Sequence, residues 1–187
     1  DIKVEGKRCL DAGASTGGFT DVLLRRGADC VVAADVGYGQ LAWEIQQNPK
    51  VVILDRTNIR HLTGELVGDP IDLVVADLSF ISLTLVLPAL AAVSKPEADY
   101  VLMVKPQFEV GRERLGAGGV VRDPALRKAA VMEVAESAYD VGLGTLGVTA
   151  SPLPGPAGNV EYFLWLRRGA PAIDEATLDR AIEIGPQ

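Results

Sequence analysis

Short apolar runs alternate with amphipathic stretches along the whole chain. Runs rich in Val, Ile, Leu and Ala occupy residues 8–11, 30–35, 50–54, 71–76 and 100–104, and two later ones occupy 146–151 and 160–167. The first five are continuous rather than alternating, which predicts strands covered on both faces. Apolar spacings of three and four predict helices over 18–26, 41–47, 83–93 and 124–141, with a short terminal one over 174–184. In the longest of these, Asp123 is placed to cap, Pro124 suits the first turn, and Gly142 and Gly144 stop the helix. Leu126, Ala130, Val131, Val134, Ala135 and Ala138 read as its apolar face, with Arg127, Lys128, Glu133 and Glu136 on the polar side. Strand and helix in alternation predict an α/β fold: a seven-stranded, mostly parallel sheet with helices on both faces. The proline-rich string 151–158 (SPLPGPAG) predicts a hairpin-like reversal that leaves the last strand antiparallel. Residues 106–122 are glycine-rich without periodicity and predict a long loop, a feature that in a compact domain is either functional or disordered.

Composition narrows the class. At 187 residues, 48% of them hydrophobic, the chain reads as one domain over 1–187 with a sizeable core. No apolar run reaches the ~18 residues that span a bilayer, and the charged start Asp1-Ile2-Lys3-Val4-Glu5 is unlike a signal peptide. These features, with Cys9 and Cys30 read as reduced core residues inside apolar runs, predict a cytoplasmic protein. The net charge of −7 argues against a nucleic-acid partner, since such proteins present a basic face to phosphates. Arg56, Arg60, His61, Lys105, Arg112, Arg114, Arg122, Arg127 and Lys128 either gather into a local patch or are solvated charges, and charge counting favours the second.

The chemistry begins at the first strand. Asp11-Ala12-Gly13-Ala14-Ser15-Thr16-Gly17-Gly18-Phe19 joins that strand to the first helix, where ligands of open α/β sheets bind. Gly13, Gly17 and Gly18 permit close backbone approach. A dinucleotide fingerprint has G-x-G-x-x-G, whereas here the order is D-x-G-x-x-x-G-G, with Ser15 at the second glycine position. Asp11 ahead of Gly13 suits a ligand bearing an amino group and a sulfonium better than one bearing phosphates, so the loop favours S-adenosyl-L-methionine over NAD. Asp35, followed by Val36 at the end of the second strand, is placed for ribose hydroxyls, a feature common to both cofactor classes. Asp55 and Asn58 follow the third strand and either reach the adenine amine or, for Asn58, serve a turn.

Three charged residues stand at the predicted ends of distant strands. Asp77 follows 71–76, Lys105 follows 100–104, and Glu161 opens the final strand. If that strand is antiparallel, all three meet at the cofactor edge. Either they form a structural ion pair or they work. The work that fits is methyl transfer to a ribose hydroxyl, a weak acid that must be positioned and relieved of its proton. A lysine serves as base where burial disfavours its ammonium, and anionic neighbours oppose that, so base and orienting group both stay open for Lys105. Asp77-Leu78-Ser79-Phe80 lacks the paired prolines of adenine amino-methyltransferases, which favours an oxygen acceptor. No metal ligand set is expected.

The strings 10–20 (LDAGASTGGFT), 32–40 (VAADVGYGQ), 72–82 (DLVVADLSFIS), 104–110 (VKPQFEV), 118–123 (GGVVRD) and 151–166 (SPLPGPAGNVEYFLWL) resemble the haemolysin-A-type branch of the FtsJ-like methyltransferases. The resemblance runs in order over residues 8–168. It implies a Rossmann-like class I methyltransferase fold, S-adenosyl-L-methionine as cofactor and 2'-O-methylation of cytidines in 16S and 23S ribosomal RNA. It also implies a Lys-Asp-Lys-Glu catalytic set, of which Asp77, Lys105 and Glu161 match the last three. The family's first lysine and an S4-like RNA-binding domain lie upstream of the first strand, and neither is expected within this chain. Cofactor contacts are expected from Asp11, Gly13, Ala14, Ser15, Gly17, Gly18, Phe19, Asp35, Val36, Asn58 and Asp77. Ribosomal RNA and ribosomal subunits are the expected partners, with no membrane. Other methyltransferase substrates on the same fold, and a membrane-active haemolysin, are the alternatives.

Overall fold

The computed structural model describes residues 2–155 and 157–185, and among these not the side chains of Arg112 and Ala117. Seven strands form the sheet: β1 (Arg8–Ala12), β2 (Cys30–Ala34), β3 (Val51–Leu54), β4 (Ile71–Ala76), β5 (Ser94–Val104), β6 (Leu143–Ala150) and β7 (Tyr162–Arg168), in the order β3-β2-β1-β4-β5-β7-β6. The helices are α1 (Gly18–Arg25), α2 (Trp43–Gln46), α3 (Gly64–Val67), α4 (Leu87–Ala92), α5 (Pro106–Glu109), α6 (Pro124–Asp140) and α7 (Glu175–Ile184). The described residues group into two compact units, Asp1–Leu78 with Pro88–Val101, and Ser79–Leu87 with Leu102–Gln187.

In the first unit, β1 pairs in parallel with both β2 and β4, and β2 with β3. Its core gathers Val4, Cys9, Leu23, Ala28, Val31, Leu73 and Val75, and Phe19 packs against this cluster from the start of α1. Burial pushes the Cys9 thiol up to about 12, so it is an inert core residue. Cys30 is only half-buried and its sulfur takes the Arg8 guanidinium at 2.9 Å, so it is not the core residue expected. The edge strand β3 also departs from expectation. Val52 and Ile53 are 39% and 37% exposed, so β3 is not covered on both faces. β5 starts six residues earlier than its apolar run, because buried Asp99 pairs with Lys7 at 3.1 Å and lets a polar stretch enter the sheet.

In the second unit, β7 runs antiparallel to β6, so the reversal expected from the proline-rich connection is present. α6 is capped by Asp123, whose carboxylate accepts the Ala125 N–H at 2.8 Å, and Pro124 opens its first turn. Its buried stripe includes Arg127 with Val131, Val134 and Ala138, which corrects the placing of Arg127 on the polar face. Residues 106–122 are not a bare loop either. They hold α5 and two single turns, Arg112–Arg114 and Ala117–Gly119. The helix expected over 83–93 divides into a single turn, Leu83–Leu85, and α4. The turn Ile59–His61 and α3 are further elements that no periodicity announced.

Candidate active site

The turn leaving β1 is built around one close approach. Gly13 has φ +86°, and a Cβ there would lie 2.4 Å from the Asp77 carbonyl oxygen. The loop thus threads where no side chain fits. Its own N–H donates to the Ala34 carbonyl at 2.8 Å, and the Asp77 N–H donates to the Ala12 carbonyl at 3.0 Å. Gly17, at φ +97°, precedes α1, and a Cβ there would meet Ile45 at 2.4 Å. Gly18 opens the helix and is exposed, Ala14 is buried beside Ala33 and Leu41, and Ser15 is exposed with φ 47°.

Three carboxylates surround this loop. Asp35 follows β2, and its two oxygens accept the backbone N–H groups of Ser15 at 2.9 Å and Gly37 at 2.7 Å. It therefore moulds the loop besides bordering it. Asp11 is fully buried; Thr20 donates to its Oδ2 at 2.7 Å, while its Oδ1 has no donor among the described residues. Burial pushes the Asp11 carboxyl up to about 6, the Thr20 hydrogen bonds pull the other way, and the charges of Asp77 and Asp35 add to the rise. A set of mutually repelling acids around an open glycine turn selects for a cationic ligand and against a pyrophosphate. S-Adenosyl-L-methionine, with its ammonium and sulfonium, fits this donor set.

Val36 lies beside Asp35 and is 69% exposed, an apolar surface next to the acid. Asn58 serves a turn: its side chain accepts the Arg60 N–H at 3.0 Å and caps Ile59–His61. Asp55 accepts the Gly39 N–H at 3.0 Å.

Lys105 and Glu161 belong to the second unit. Pro106 restricts the residue before it to extended backbone, and Lys105 has φ −109° and ψ 99° as the residue that opens α5. Its Nζ donates to the Ser79 hydroxyl at 3.2 Å. Glu161, immediately before β7, is buried and accepts from the Gln107 amide at 3.4 Å. Glu109 completes the row. Its carboxylate takes the Ser82 hydroxyl at 2.5 Å and the Leu83 N–H at 2.9 Å, and burial pushes its pKa upward. One turn of helix thus holds the segment after β4 at Ser79 and Ser82 and the start of β7 at Glu161. Gln107 and Glu109 escaped residue-by-residue reading; the alternation Lys105, Gln107, Glu109 within the VKPQFEV string was the available signal.

Phe80 is the other unforeseen feature. It is 91% exposed and has φ 63°, with its ring centroid 5.0 Å from that of Phe108 at an interplanar angle of 49°. A phenylalanine in the left-handed region costs on the order of 1–3 kcal/mol.

These features agree with the comparisons. The profile of the FtsJ-like methyltransferase family matches residues 1–168. The chain belongs to that family. It is 60% identical over 191 residues to the 16S/23S rRNA (cytidine-2'-O)-methyltransferase TlyA of Mycobacterium tuberculosis (strain CDC 1551 / Oshkosh), covering 99% of this chain and 71% of that protein. Among solved structures, a hemolysin-named protein from Lactococcus lactis superposes with a TM-score of 0.92 at 38% identity, covering 97% of this chain and 88% of the other. A Mesorhizobium loti S-adenosylmethionine dependent methyltransferase superposes with a TM-score of 0.66 at 17% identity, over 90% and 94% of the two chains, a likeness of fold. As an FtsJ-like methyltransferase, the chain carries the Rossmann-like sheet expected from its strand pattern.

The candidate basic patch is reduced. Arg127 is buried, Lys128 pairs with Asp179 at 2.6 Å and Glu175 at 3.6 Å, and Arg56 lies 4.4 Å over the Tyr38 ring. Arg60, His61, Arg114 and Arg122 are exposed, and the Arg112 side chain lies outside the described residues. No helix among the described residues is long and apolar enough to cross a membrane.

Proposed function

We propose that the protein is an S-adenosyl-L-methionine-dependent methyltransferase that modifies the 2'-hydroxyl of cytidine in 16S and 23S ribosomal RNA, acting on ribosomal subunits in the cytoplasm. The ring of Asp11, Asp35 and Asp77 about the Gly13 turn carries the cofactor assignment. The 60% identity to a curated cytidine-2'-O-methyltransferase carries the substrate. When bound, the cofactor supplies a methyl group activated by its sulfonium. Asp35 retains lone pairs for the ribose hydroxyls beyond those used on Ser15 and Gly37. Lys105, braced by Ser79, orients the target hydroxyl and accepts or stabilises its proton. Alignment of donor and acceptor then supplies much of the acceleration. Phe80 offers a flat apolar face on which an unstacked base can lie, the usual mode of reading single-stranded RNA.

The test uses the full-length protein, ribosomal subunits and the methyl donor, with 2'-O-methylcytidine read by mass spectrometry of rRNA fragments. New methylcytidine in both RNAs is expected, and its absence sinks the assignment. Calorimetry separates the cofactors: S-adenosyl-L-methionine and S-adenosylhomocysteine bind, and a preference for NAD would end the reading.

Two substitutions probe the parts separately. Asp35→Ala removes a charged acceptor and releases the loop at Ser15, so the cofactor Kd is expected to rise roughly 10–100-fold, from ~1.5–3 kcal/mol per charged hydrogen bond. An unchanged Kd would show the ribose bound elsewhere. Phe80→Ala is expected to leave cofactor binding intact and lower kcat/KM for RNA by roughly 5–100-fold, since base stacking on an aromatic is worth ~1–3 kcal/mol. Equal turnover by both proteins would remove Phe80 from the RNA surface.

A further inference from the structure

Glu161 is buried, and Gln107 and Gly155 are among the neighbours that bound its carboxylate. The Gln107 amide nitrogen donates to Oε1 at 3.4 Å. On another side, a Cβ built on Gly155 would come within 2.7 Å of that same oxygen, so the carboxylate rests against backbone that carries no side chain. Gly155 is fixed in turn, its N–H donating to the Asn159 carbonyl at 2.9 Å, and the Glu161 carbonyl accepts the Ser151 N–H at 2.7 Å. Little freedom is left to the carboxylate.

Gln107 carries this arrangement at a cost to itself. A carboxylate only accepts, so the amide must turn its nitrogen toward Glu161. Its carbonyl oxygen then faces the other way, buried, and meets no donor among the described residues. A buried acceptor without a donor is unfavourable, and an apolar side chain of similar length avoids the problem. Filling space at position 107 therefore gives no reason for glutamine. Holding a carboxylate does.

We propose that Gln107 is a positioning residue for methyl transfer: its amide N–H fixes the orientation of the Glu161 carboxylate against Gly155. The proposal rests on the placing of Glu161 in the catalytic set. Lys105 and Gln107 stand two residues apart across Pro106, at the start of one short helix. The backbone that presents the amine therefore also presents the amide that holds the acid. A shift of that amide misaligns the carboxylate with the lysine, and in an aligned displacement a misplacement of ~1 Å costs roughly 10²-fold.

The experiment compares full-length wild type with Gln107→Leu, Gln107→Glu and Gly155→Ala, and adds Glu161→Leu and Glu161→Gln for spectroscopy. Gln107→Leu keeps the size and removes the donor, and Gln107→Glu sets a second acid against the first. Gly155→Ala pushes on the carboxylate from its other side. We expect kcat on ribosomal subunits to fall roughly 30–100-fold for Gln107→Leu, further for Gln107→Glu and roughly 10-fold for Gly155→Ala. Cofactor Kd and RNA KM are expected to stay within about 3-fold, because no binding contact is removed. The Gln107 side-chain amide protons, followed by NMR, should move upfield in Glu161→Leu and stay near their wild-type positions in Glu161→Gln. Resonances that ignore Glu161→Leu overturn the contact, whatever the activity. A Gln107→Leu enzyme within twofold of wild-type kcat, with the amide contact present, overturns the positioning role. Wild-type protein that leaves ribosomal RNA unmethylated overturns the functional assignment, and the proposal with it.

Discussion

Lys105→Ala in the full-length protein is expected to abolish methyl transfer while leaving cofactor binding within about twofold of wild type. The amine stands at the end of β5, its backbone constrained by Pro106 and its Nζ braced by the Ser79 hydroxyl at 3.2 Å. Alanine at this position removes the amine proposed to orient the hydroxyl and receive its proton. Loss of a positioned acid–base group lowers turnover by roughly 10²–10⁴-fold. The three acids about the Gly13 turn are untouched, so the donor still binds. Single-turnover kinetics with saturating cofactor, alongside calorimetry, reads the two quantities separately. Retained turnover would refute the role, and a lost cofactor site would show that Lys105 belongs to the binding loop instead. Lys105→Arg refines the result: a guanidinium keeps charge and reach but does not give up a proton. An arginine variant as inactive as alanine favours the base, and partial rescue favours the orienting cation.

Much of the sheet was legible because its strands are short and strongly apolar. β4 begins and ends where its run of Ile, Leu, Val and Ala does, and β1 and β2 differ from their apolar runs by a single residue. The apolar pattern predicts a shorter β5 because Lys95, Pro96, Glu97 and Asp99 look like a loop. Asp99 pairs with Lys7, 92 positions away, and Lys95 with Asp72, 23 positions away, and no local pattern carries that information. Arg127 is the opposite case. It falls on the 127, 131, 134, 138 row, and spacing alone would have placed it inside. Its residue type argued for the surface, and packing won.

For the site, residue types and their order were readable and conformations were not. Asp11, Asp35 and Asp77 could be named from their places at strand ends. Nothing in the string announced that Asp35 spends both oxygens on backbone amides, or that Asp11 is sealed beneath Thr20. The residues around Phe80 show only that the paired prolines are missing, whereas its left-handed backbone, 91% exposure and contact with Phe108 are properties of the folded chain. Asn58 divided evenly between turn and ligand in the sequence, and it caps a turn.

Asp11→Asn is expected to stabilise the cofactor-free protein at neutral pH and to weaken its hold on the donor. Asp11 has no exposed surface, and burial moves its carboxyl from an ordinary 3.8 to about 6. Between those values the folded chain keeps a proton that the unfolded chain has released. Stability therefore falls as pH rises through that window, and the full loss is present above the folded value. At ~1.36 kcal/mol per unit, a rise of about two units corresponds to about 3 kcal/mol at pH 7. Asparagine carries no charge and still accepts from Thr20. Its amide N–H₂ at the unpartnered side returns part of the gain, leaving about 1–2 kcal/mol, or roughly 3–6 °C in Tm for a chain of this size. Thermal melts across pH 4–8 decide it: the wild-type curve should drop relative to Asp11→Asn through the window, and parallel curves would show that the charge is not resisted. With the donor present the order changes. A cationic ligand relieves the repulsion among Asp11, Asp35 and Asp77, so it should raise the wild-type Tm more than that of the variant, whose Kd rises about tenfold. The instability of the empty site and the affinity of the filled one then have the same origin, a buried negative charge that the fold does not neutralise by itself.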